Sequence, residues 1–447
     1  MKDNAFSRRD FLGTTALGAV GVLGVAGLAS SCAGDKLKVT ITPPLKKAVD
    51  GKPIRAGIIG CGGRGTGAVM NFLDAGDNLE LVAAADLFPD KMESFRKKLK
   101  EAKGVELPDD KCYLGFDAYQ KVLAEQVDYI ILATPPHFRP EHFEAAVKAR
   151  KNVFMEKPVA VDPVGARRIM VAGKQSASIG LSVVAGTQRR HQWDYLGVYE
   201  YVKAGAIGDL VAANAYWNMG KLWHVNPRAE WTEMENMLRN WVNWMWLSGD
   251  HIVEQHVHNL DVVNWFKNDH PVKAVGFGSR HRRVTGDQYD NFSVDFVYRD
   301  GMHMHSMCRQ INGTAHNVSE YIRGTKGYTN GHDGVYLYDG TAVFENPRPE
   351  TEEEQKALEE KYNSPYVQEH VDLVTAIRKN EPLNEAEHVA VSTLTGIMGR
   401  ISAYTGREVT WEEMMNSEVH HMPDTYVMGT VTGVPKKVPV PGEAAES

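Results

Sequence analysis

Ile54-Arg55-Ala56-Gly57-Ile58-Ile59-Gly60-Cys61-Gly62-Gly63-Arg64-Gly65 is the stretch whose reading decides the fold. An apolar run ends in Gly60-x-Gly62-x-x-Gly65 and leads into a helix-like segment, Thr66 to Leu73. Each glycine has its own task in such a turn. Gly60 permits the tight change from strand to helix, Gly62 lets the backbone approach a pyrophosphate, and Gly65 lets helix and strand pack closely. With Gly63 and Arg64 between them, the free N–H groups at the helix start face the phosphates, where the helix dipole favours negative charge. A second apolar strand, Leu79 to Ala85, ends in Asp86, 21 residues beyond Gly65. A carboxylate there accepts hydrogen bonds from the adenosine ribose hydroxyls. The expectation is NAD in preference to NADP, since Asp86 repels a 2′-phosphate and Arg64 offsets that repulsion only in part.

Working outward, short apolar runs alternate with longer amphipathic stretches as far as Leu181, the pattern of parallel βαβ units. Val127 to Ala133 ends at Thr134-Pro135-Pro136-His137, and Asn152 to Met155 ends at Glu156-Lys157-Pro158. Ligands of open α/β sheets collect beyond the carboxyl ends of the strands. Gly60, Asp86, Thr134, Pro135, His137, Glu156, Lys157 and Gln188 are therefore expected to share one crevice. Past Thr187 the pattern changes to alternating strands, such as Val211 to Met219 and Phe292 to Tyr298, with Asp300-Gly301 as a hairpin signal. Trp241 to Phe266 reads as one helix. The expected fold is an α/β Rossmann dinucleotide-binding domain over 53–186, followed by an α+β substrate and oligomerisation domain over 187–447. That second domain carries a large, open, mostly antiparallel sheet, with late helices (367–405) near the domain junction.

The chain has 447 residues, is 43% hydrophobic and carries a net charge of −7, enough for two or three domains. No long basic run follows the N-terminus, which argues against a nucleic-acid partner. Ser7-Arg8-Arg9-Asp10-Phe11-Leu12-Gly13 and the Gly/Ala-rich run Thr14 to Leu28 read as a twin-arginine export signal. Leu28-Ala29-Ser30-Ser31-Cys32 reads as a lipoprotein cleavage box, so 1–32 is expected to be removed up to a lipid-bearing Cys32 and 33–52 to serve as a tether. The mature protein would be periplasmic and touch the membrane only through that lipid. Export in the folded state suits a cofactor loaded beforehand and retained. Cys61, Cys112 and Cys308 have no C-x-x-C spacing, so neither a disulfide framework nor a zinc ribbon is expected.

Together the glycine turn, Thr134-Pro135-Pro136-His137, Glu156-Lys157-Pro158 and the segment Gly249-Asp250-His251-Ile252-Val253-Glu254-Gln255-His256-Val257-His258-Asn259-Leu260-Asp261 resemble the Gfo/Idh/MocA family of sugar oxidoreductases. The likeness runs from Arg55 to Trp411. It implies a Rossmann domain, an open antiparallel sheet that often forms an oligomer interface, and catalysis by the Lys of Glu-Lys-Pro with an Asp/His pair four residues apart. Lys157 and His258 match that pattern. Glu254 stands where the family has Asp, which lengthens the carboxylate arm.

Hydride transfer from a secondary alcohol needs a base and a group that stabilises the developing alkoxide. A neutral imidazole, His258, suits the first task and an ammonium, Lys157, suits the second. Lys157 could instead pair with Glu156. Glu254 would orient His258 or bind substrate, and His251 joins their helical stripe while His256 points away. A metal held by Glu254 and His258 is the rival reading, and the family resemblance explains the cluster without one. Arg189 and Arg190 bind substrate or form a solvated basic loop, and one or two of the tryptophans Trp217, Trp223, Trp241, Trp244 and Trp246, Trp244 foremost, stack on a sugar. The implied activity is NAD-dependent oxidation of a secondary hydroxyl of a sugar or glycoside, with C3 preferred on family analogy. A redox-neutral glycosidase and a non-catalytic sugar sensor are the alternatives.

Overall fold

The computed structural model describes residue 37 and residues 39–443. The export signal, the cleavage box and Cys32 lie outside the described residues. The first half is built from β1 (Ile54–Ile59), α1 (Gly63–Asp74), β2 (Leu79–Asp86), α2 (Pro89–Lys103), β3 (Cys112–Leu114), α3 (Ala118–Ala124), β4 (Tyr129–Leu132), α4 (Arg139–Lys148), β5 (Asn152–Met155), α5 (Pro163–Ser178) and β6 (Val183–Ala185). The six strands form one parallel sheet in the order β3-β2-β1-β4-β5-β6. β4 is buried along its whole length because both sheet faces are covered by helices, which is why its sequence reads as an unbroken apolar run. Strand order reverses between β1 and β4, so the glycine turn sits at the crevice where such sheets take up ligands.

The turn itself has the expected geometry. Gly60 adopts φ +99°, and a Cβ there would fall 2.7 Å from the Ala133 carbonyl carbon. A Cβ on Gly65 would fall 1.8 Å from the Gly60 carbonyl oxygen, whereas Gly62 and Gly63 have nothing within 4 Å. α1 starts without a side-chain cap, so its leading N–H groups remain available to a ligand. The stretch read as a tether is partly folded down: Ala48 is buried and its N–H donates to the Ala75 carbonyl at 2.8 Å.

The second half contains α6 (Trp193–Lys203), β7 (Leu210–Met219), α7 (Glu233–Arg239), α8 (Met245–Ser248), α9 (His251–Glu254), α10 (Val257–Lys267), β8 (Pro271–Ser279), β9 (Asn291–Tyr298), β10 (His303–Gln310), β11 (Asn317–Gly324), β12 (Gly327–Thr329), β13 (Gly334–Leu337) and β14 (Ala342–Glu345). It closes with α11 (Glu352–Lys361), α12 (Pro365–Lys379), α13 (Ala386–Thr405), β15 (Val409–Thr410) and α14 (Trp411–Asn416). Nine strands form a sheet in the order β14-β13-β12-β11-β7-β10-β9-β8-β15. Its pairs are antiparallel except β7 with β10, which run parallel. β9 alternates partly exposed and buried residues, and its inward set, Phe292, Val294, Phe296 and Tyr298, joins the core beneath α13. The late helices reach the first half: Leu373 and Val374 of α12 join the core under α1, and α13 packs along α5.

Trp241 to Phe266 is not one helix. Gly249 (φ +83°) and Asp250 (φ +69°) stop α8, and the His256 N–H reaches back five residues to the His251 carbonyl, which separates α9 from α10. The sequence hides these breaks because the segment is buried on nearly every side, so apolar positions persist through them. Beyond α14, residues 417–443 have no regular structure but are tied down. Tyr426 OH bonds His137 Nε2 at 2.7 Å, the Met234 N–H donates to the Gly429 carbonyl at 3.0 Å, and Val431 packs with Met237, Leu238 and Trp246.

The glycine turn yields a direct test. Gly65→Ala is expected to cost about 2–3 kcal/mol through overpacking, whereas Gly63→Ala, into open space, should change stability by about 0.5 kcal/mol or less. Thermal unfolding of the two variants beside the parent checks the contrast.

Candidate active site

Beyond the carboxyl ends of β1, β2 and β4 lies a cavity of about 420 Å³. Gly60, Gly62, Gly63, Arg64, Gly65, Asp86, Thr134 and Pro135 line it, so eight of the residues singled out for a dinucleotide meet there. Asp86 is held ready: its Oδ2 accepts the Cys61 N–H at 2.7 Å and its Oδ1 accepts the Phe88 N–H at 2.9 Å. Burial raises its pKa against those hydrogen bonds. A larger open cleft of about 690 Å³, walled by Trp193, His332 and Tyr362, touches none of these residues.

The adenosine end of the cavity is roofed by a segment in which the sequence analysis singled out only Trp223 and Trp241, as candidates to stack on a sugar. Trp223, Val225, Leu238, Arg239 and Trp241, from the second half of the chain, line its far wall. Arg239 holds the roof down. Its guanidinium makes a two-pronged pair with Asp90 (3.1 and 2.9 Å) and lies 4.0 Å from the Phe88 ring centroid, which combines a charge pair with a cation–π contact. The 417–443 segment in turn braces this roof, with Lys436 Nζ 2.8 Å from Glu233 Oε1.

The groups expected to do chemistry form a separate, tightly packed cluster. Lys157 follows β5 and reaches α9, where its Nζ donates to the Glu254 carbonyl at 2.5 Å and lies 3.3 Å from Glu254 Oε1. Their side chains are only 10% and 9% exposed. The alternative pairing of Lys157 with Glu156 is not formed, because Glu156 is taken by Arg64 at 2.5 Å. Arg64 is therefore held by carboxylates other than Asp86, namely Glu156 and Glu369. Its guanidinium lies 4.9 Å from the Tyr366 ring centroid, and its Nη2 is 3.7 Å from Glu369 Oε2. Glu369 is fully buried, its carboxyl oxygens lack hydrogen-bond partners, and burial lifts its pKa well above the usual range despite Arg64.

His258 sits on the first turn of α10, stacked on Trp217 with centroids 5.6 Å apart. Burial, reinforced by the charges of Lys157, Arg189 and Arg64, pushes its pKa well below that of a free imidazole, so it is neutral. Its Nδ1 is buried without a partner. Glu254 pairs with Lys157 and Gln255 (2.6 Å), not with His258. The helical stripe expected of His251, Glu254 and His258 does not form, since the break between α9 and α10 ends it. His251 bonds Asp250 at 2.9 Å and faces Phe292, and His256 bonds Ser306 at 2.7 Å with its pKa pushed by burial down to about 3. Among the described residues no three of His, Cys, Asp and Glu converge where a metal would fit.

Arg189 and Arg190 are not a solvated loop. Arg189 pairs with buried Glu320, which also accepts from Asn259 at 2.7 Å, and its guanidinium lies 5.9 Å from the Trp217 ring beside His258. Arg190 is fastened to Asp261 by two bonds of 2.8 and 2.9 Å, which makes it a tie to α10. Gln188 Oε1 and Thr187 Oγ1 are buried without partners at the end of β6. His137 is covered by Tyr426, and Trp244 packs beside Trp246 with its Nε1 unpartnered. Neither lines the cavity. The backbone left open at Gly62 and Gly63 and the poised Asp86 fit a nicotinamide dinucleotide, whereas Gln188, like Glu156 and Lys157, does not line this cavity. Tyr366, Glu369, Leu238 and Arg239 were missed because they come from α12 and α7, which carry no motif, and only tertiary packing brings them here.

Known proteins agree with this layout. The description "Oxidoreductase family, NAD-binding Rossmann fold" matches residues 54–183, and "GFO/IDH/MocA C-terminal domain" matches residues 195–329, together more than half of the chain. Inositol 2-dehydrogenase of Acidothermus cellulolyticus is 27% identical over 245 residues, 54% of this chain and 62% of that protein, so the match spans about three fifths of the relative. A glycosyl hydrolase family 109 protein of Solibacter usitatus is 25% identical over 383 residues, 80% of this chain and 81% of that one. Apo scyllo-inositol dehydrogenase from Lactobacillus casei shares the fold with a TM-score of 0.61 at 19% identity, covering 81% of this chain and 99% of that chain. Aldose-aldose oxidoreductase from Caulobacter crescentus does so with a TM-score of 0.59 at 16% identity, covering 80% and 99%. By its glycine turn, its Glu-Lys-Pro segment and both matched domains, the chain belongs to the Gfo/Idh/MocA family of NAD-binding oxidoreductases.

Proposed function

We propose that the protein moves hydride between a secondary hydroxyl of a sugar, cyclitol or glycoside and a bound nicotinamide. The observation that carries this reading is the Lys157 ammonium, fixed at 2.5 Å on the Glu254 carbonyl and close enough to neutral His258 to depress its pKa. When bound, NAD supplies the hydride acceptor. His258, uncharged at neutral pH, takes the hydroxyl proton. Lys157 stabilises negative charge on the same oxygen, and Glu254 holds the ammonium in place until substrate arrives. Oxidation at C3 of a glucoside-like ring remains a family analogy.

A second reading has its own support. The family 109 glycosyl hydrolase relative matches 80% of this chain, a wider span than the inositol dehydrogenase relative. In that reading oxidation of the ring is transient and serves to release an aglycone, with no net redox change.

We propose further that NAD stays bound between turnovers, supported by the roof over the adenosine end and the Arg239–Asp90 clasp, and that a second sugar or another acceptor takes the hydride back from it. Export by the twin-arginine route and lipid attachment at Cys32 rest on the motif at Ser7 to Gly13 and the small residues before Cys32. A homo-oligomer formed through the open face of the nine-stranded sheet is supported by Phe277, 73% exposed, with exposed Val275, Tyr321 and Tyr328 on the same sheet.

Four outcomes are expected. In a substrate screen read by absorbance of reduced nicotinamide, Lys157→Met and His258→Ala should each lose about 10²–10⁴ in rate. With an aryl glycoside, keto-glycoside should accumulate, and free phenol without net keto-sugar would favour the glycosidase. Because the His258 pKa lies well below the usual one, kcat/KM should stay level from about pH 8 to about pH 6, and a fall centred near the ordinary imidazole value would contradict that depression. Protein purified without added NAD should release it on denaturation, as seen by mass spectrometry, and Arg239→Ala should arrive depleted of it.

A further inference from the structure

α13 is the buried beam on which both halves of the reacting cluster rest, and five of its polar side chains point at chain segments that carry the site. Thr393 Oγ1 accepts the Val159 N–H at 3.3 Å, two residues past Lys157. Ser392 Oγ donates to Asp261 Oδ1 at 2.7 Å, and Thr395 Oγ1 accepts from Asn264 at 3.1 Å, both on α10. Tyr404 OH donates to Asp250 Oδ2 at the start of α9. Between these lies Arg400. One of its nitrogens, Nη1, donates to the Val161 carbonyl at 2.8 Å and to the Gly249 carbonyl at 2.9 Å. The first acceptor follows Lys157 by four residues, and the second precedes Glu254 by five.

Arg400 is 1% exposed, and burial lowers its pKa. A guanidinium that spends its hydrogen bonds on neutral carbonyls is a costly thing to bury. The turn it holds is strained as well. Asp250 has φ +69° and ψ 164°, a region natural only to glycine, and its carboxylate is pinned by Tyr404 OH, the Tyr289 N–H (3.1 Å) and the His251 N–H (2.5 Å). Cost and strain collect at the point that joins the Lys157 loop to α9.

We propose that Arg400 is a positioning residue that fixes the separation of Lys157 from Glu254 by tying their two chain segments to one nitrogen. This rests on the reading of Lys157 as the group that meets the substrate oxygen. Without the tie only Thr393 and Tyr404 still hold the 157–161 loop and the start of α9 to α13, and the ammonium leaves its carbonyl more often.

The test uses the full chain in its NAD-loaded form. Arg400→Gln should lower kcat by about tenfold to a hundredfold, the loss that small misplacement produces, with little change in KM or in bound NAD. Arg400→Lys should recover part of it. A second readout does not depend on turnover: competitive acetylation followed by peptide mass spectrometry should show Lys157 labelled several-fold faster in Arg400→Gln than in the parent. Labelling equal to the parent in folded, NAD-loaded protein overturns the proposal whatever the activity. If Arg400→Gln does not fold, the Lys variant decides, with faster labelling in support and parental labelling against. A parent that reduces no bound NAD with any sugar defeats the catalytic reading instead, and the labelling comparison still reports on the tie.

Discussion

An ammonium group with 10% of its side chain exposed must be met by partners at fixed distances, because an unpaired buried charge costs several kcal/mol. Lys157 meets both partners in one residue, the carbonyl and the carboxylate of Glu254. The carbonyl is available because α9 is only four residues long, so its last carbonyls have no further turn to bond. A continuous helix over the same residues would have consumed that acceptor. The break in the helix and the seating of the lysine are thus one fact seen from two sides, and the His256 N–H, reaching back to the His251 carbonyl, is what places the break.

Burial first, and then the charge arranged around that pair, keeps the imidazole uncharged. Lys157, Arg189 and Arg64 each have a carboxylate of their own, in Glu254, Glu320 and Glu156, yet all three still depress His258. A shorter acid in place of Glu254 would not span both the ammonium and Gln255 from the same backbone position. The longer arm in this chain accordingly serves the lysine, where the family pattern suggested service to the histidine.

Legibility in the sequence followed the range of the forces involved. The glycine turn could be read because its demands are local: a positive φ at Gly60 and a 1.8 Å clash at Gly65 admit no other residue. The βαβ rhythm could be read because strands buried on both faces leave unbroken apolar runs. The broken helix could not, since burial on all sides erases the periodic signal that marks a helix end. Nor could the roof, whose clasp joins Asp90 to Arg239 across 149 positions of sequence. Glu369 and Arg400 were invisible for a related reason. Each lies inside an ordinary helical stretch, and its meaning comes from what stands opposite in space.

The cavity and the reacting cluster are built by different means, and this bears on turnover. The dinucleotide wall comes from the glycine turn and is closed by a segment and a C-terminal stretch that cross from the other half of the chain. The cluster hangs from α13 and shares with the cavity only Arg64, which lines the cavity and binds Glu156 beside Lys157. If the cofactor stays in place between turnovers, as proposed, sugar has to exchange while the Arg239–Asp90 clasp stays closed. Retention of one ligand and exchange of the other then follow from separate anchorage, without any moving lid.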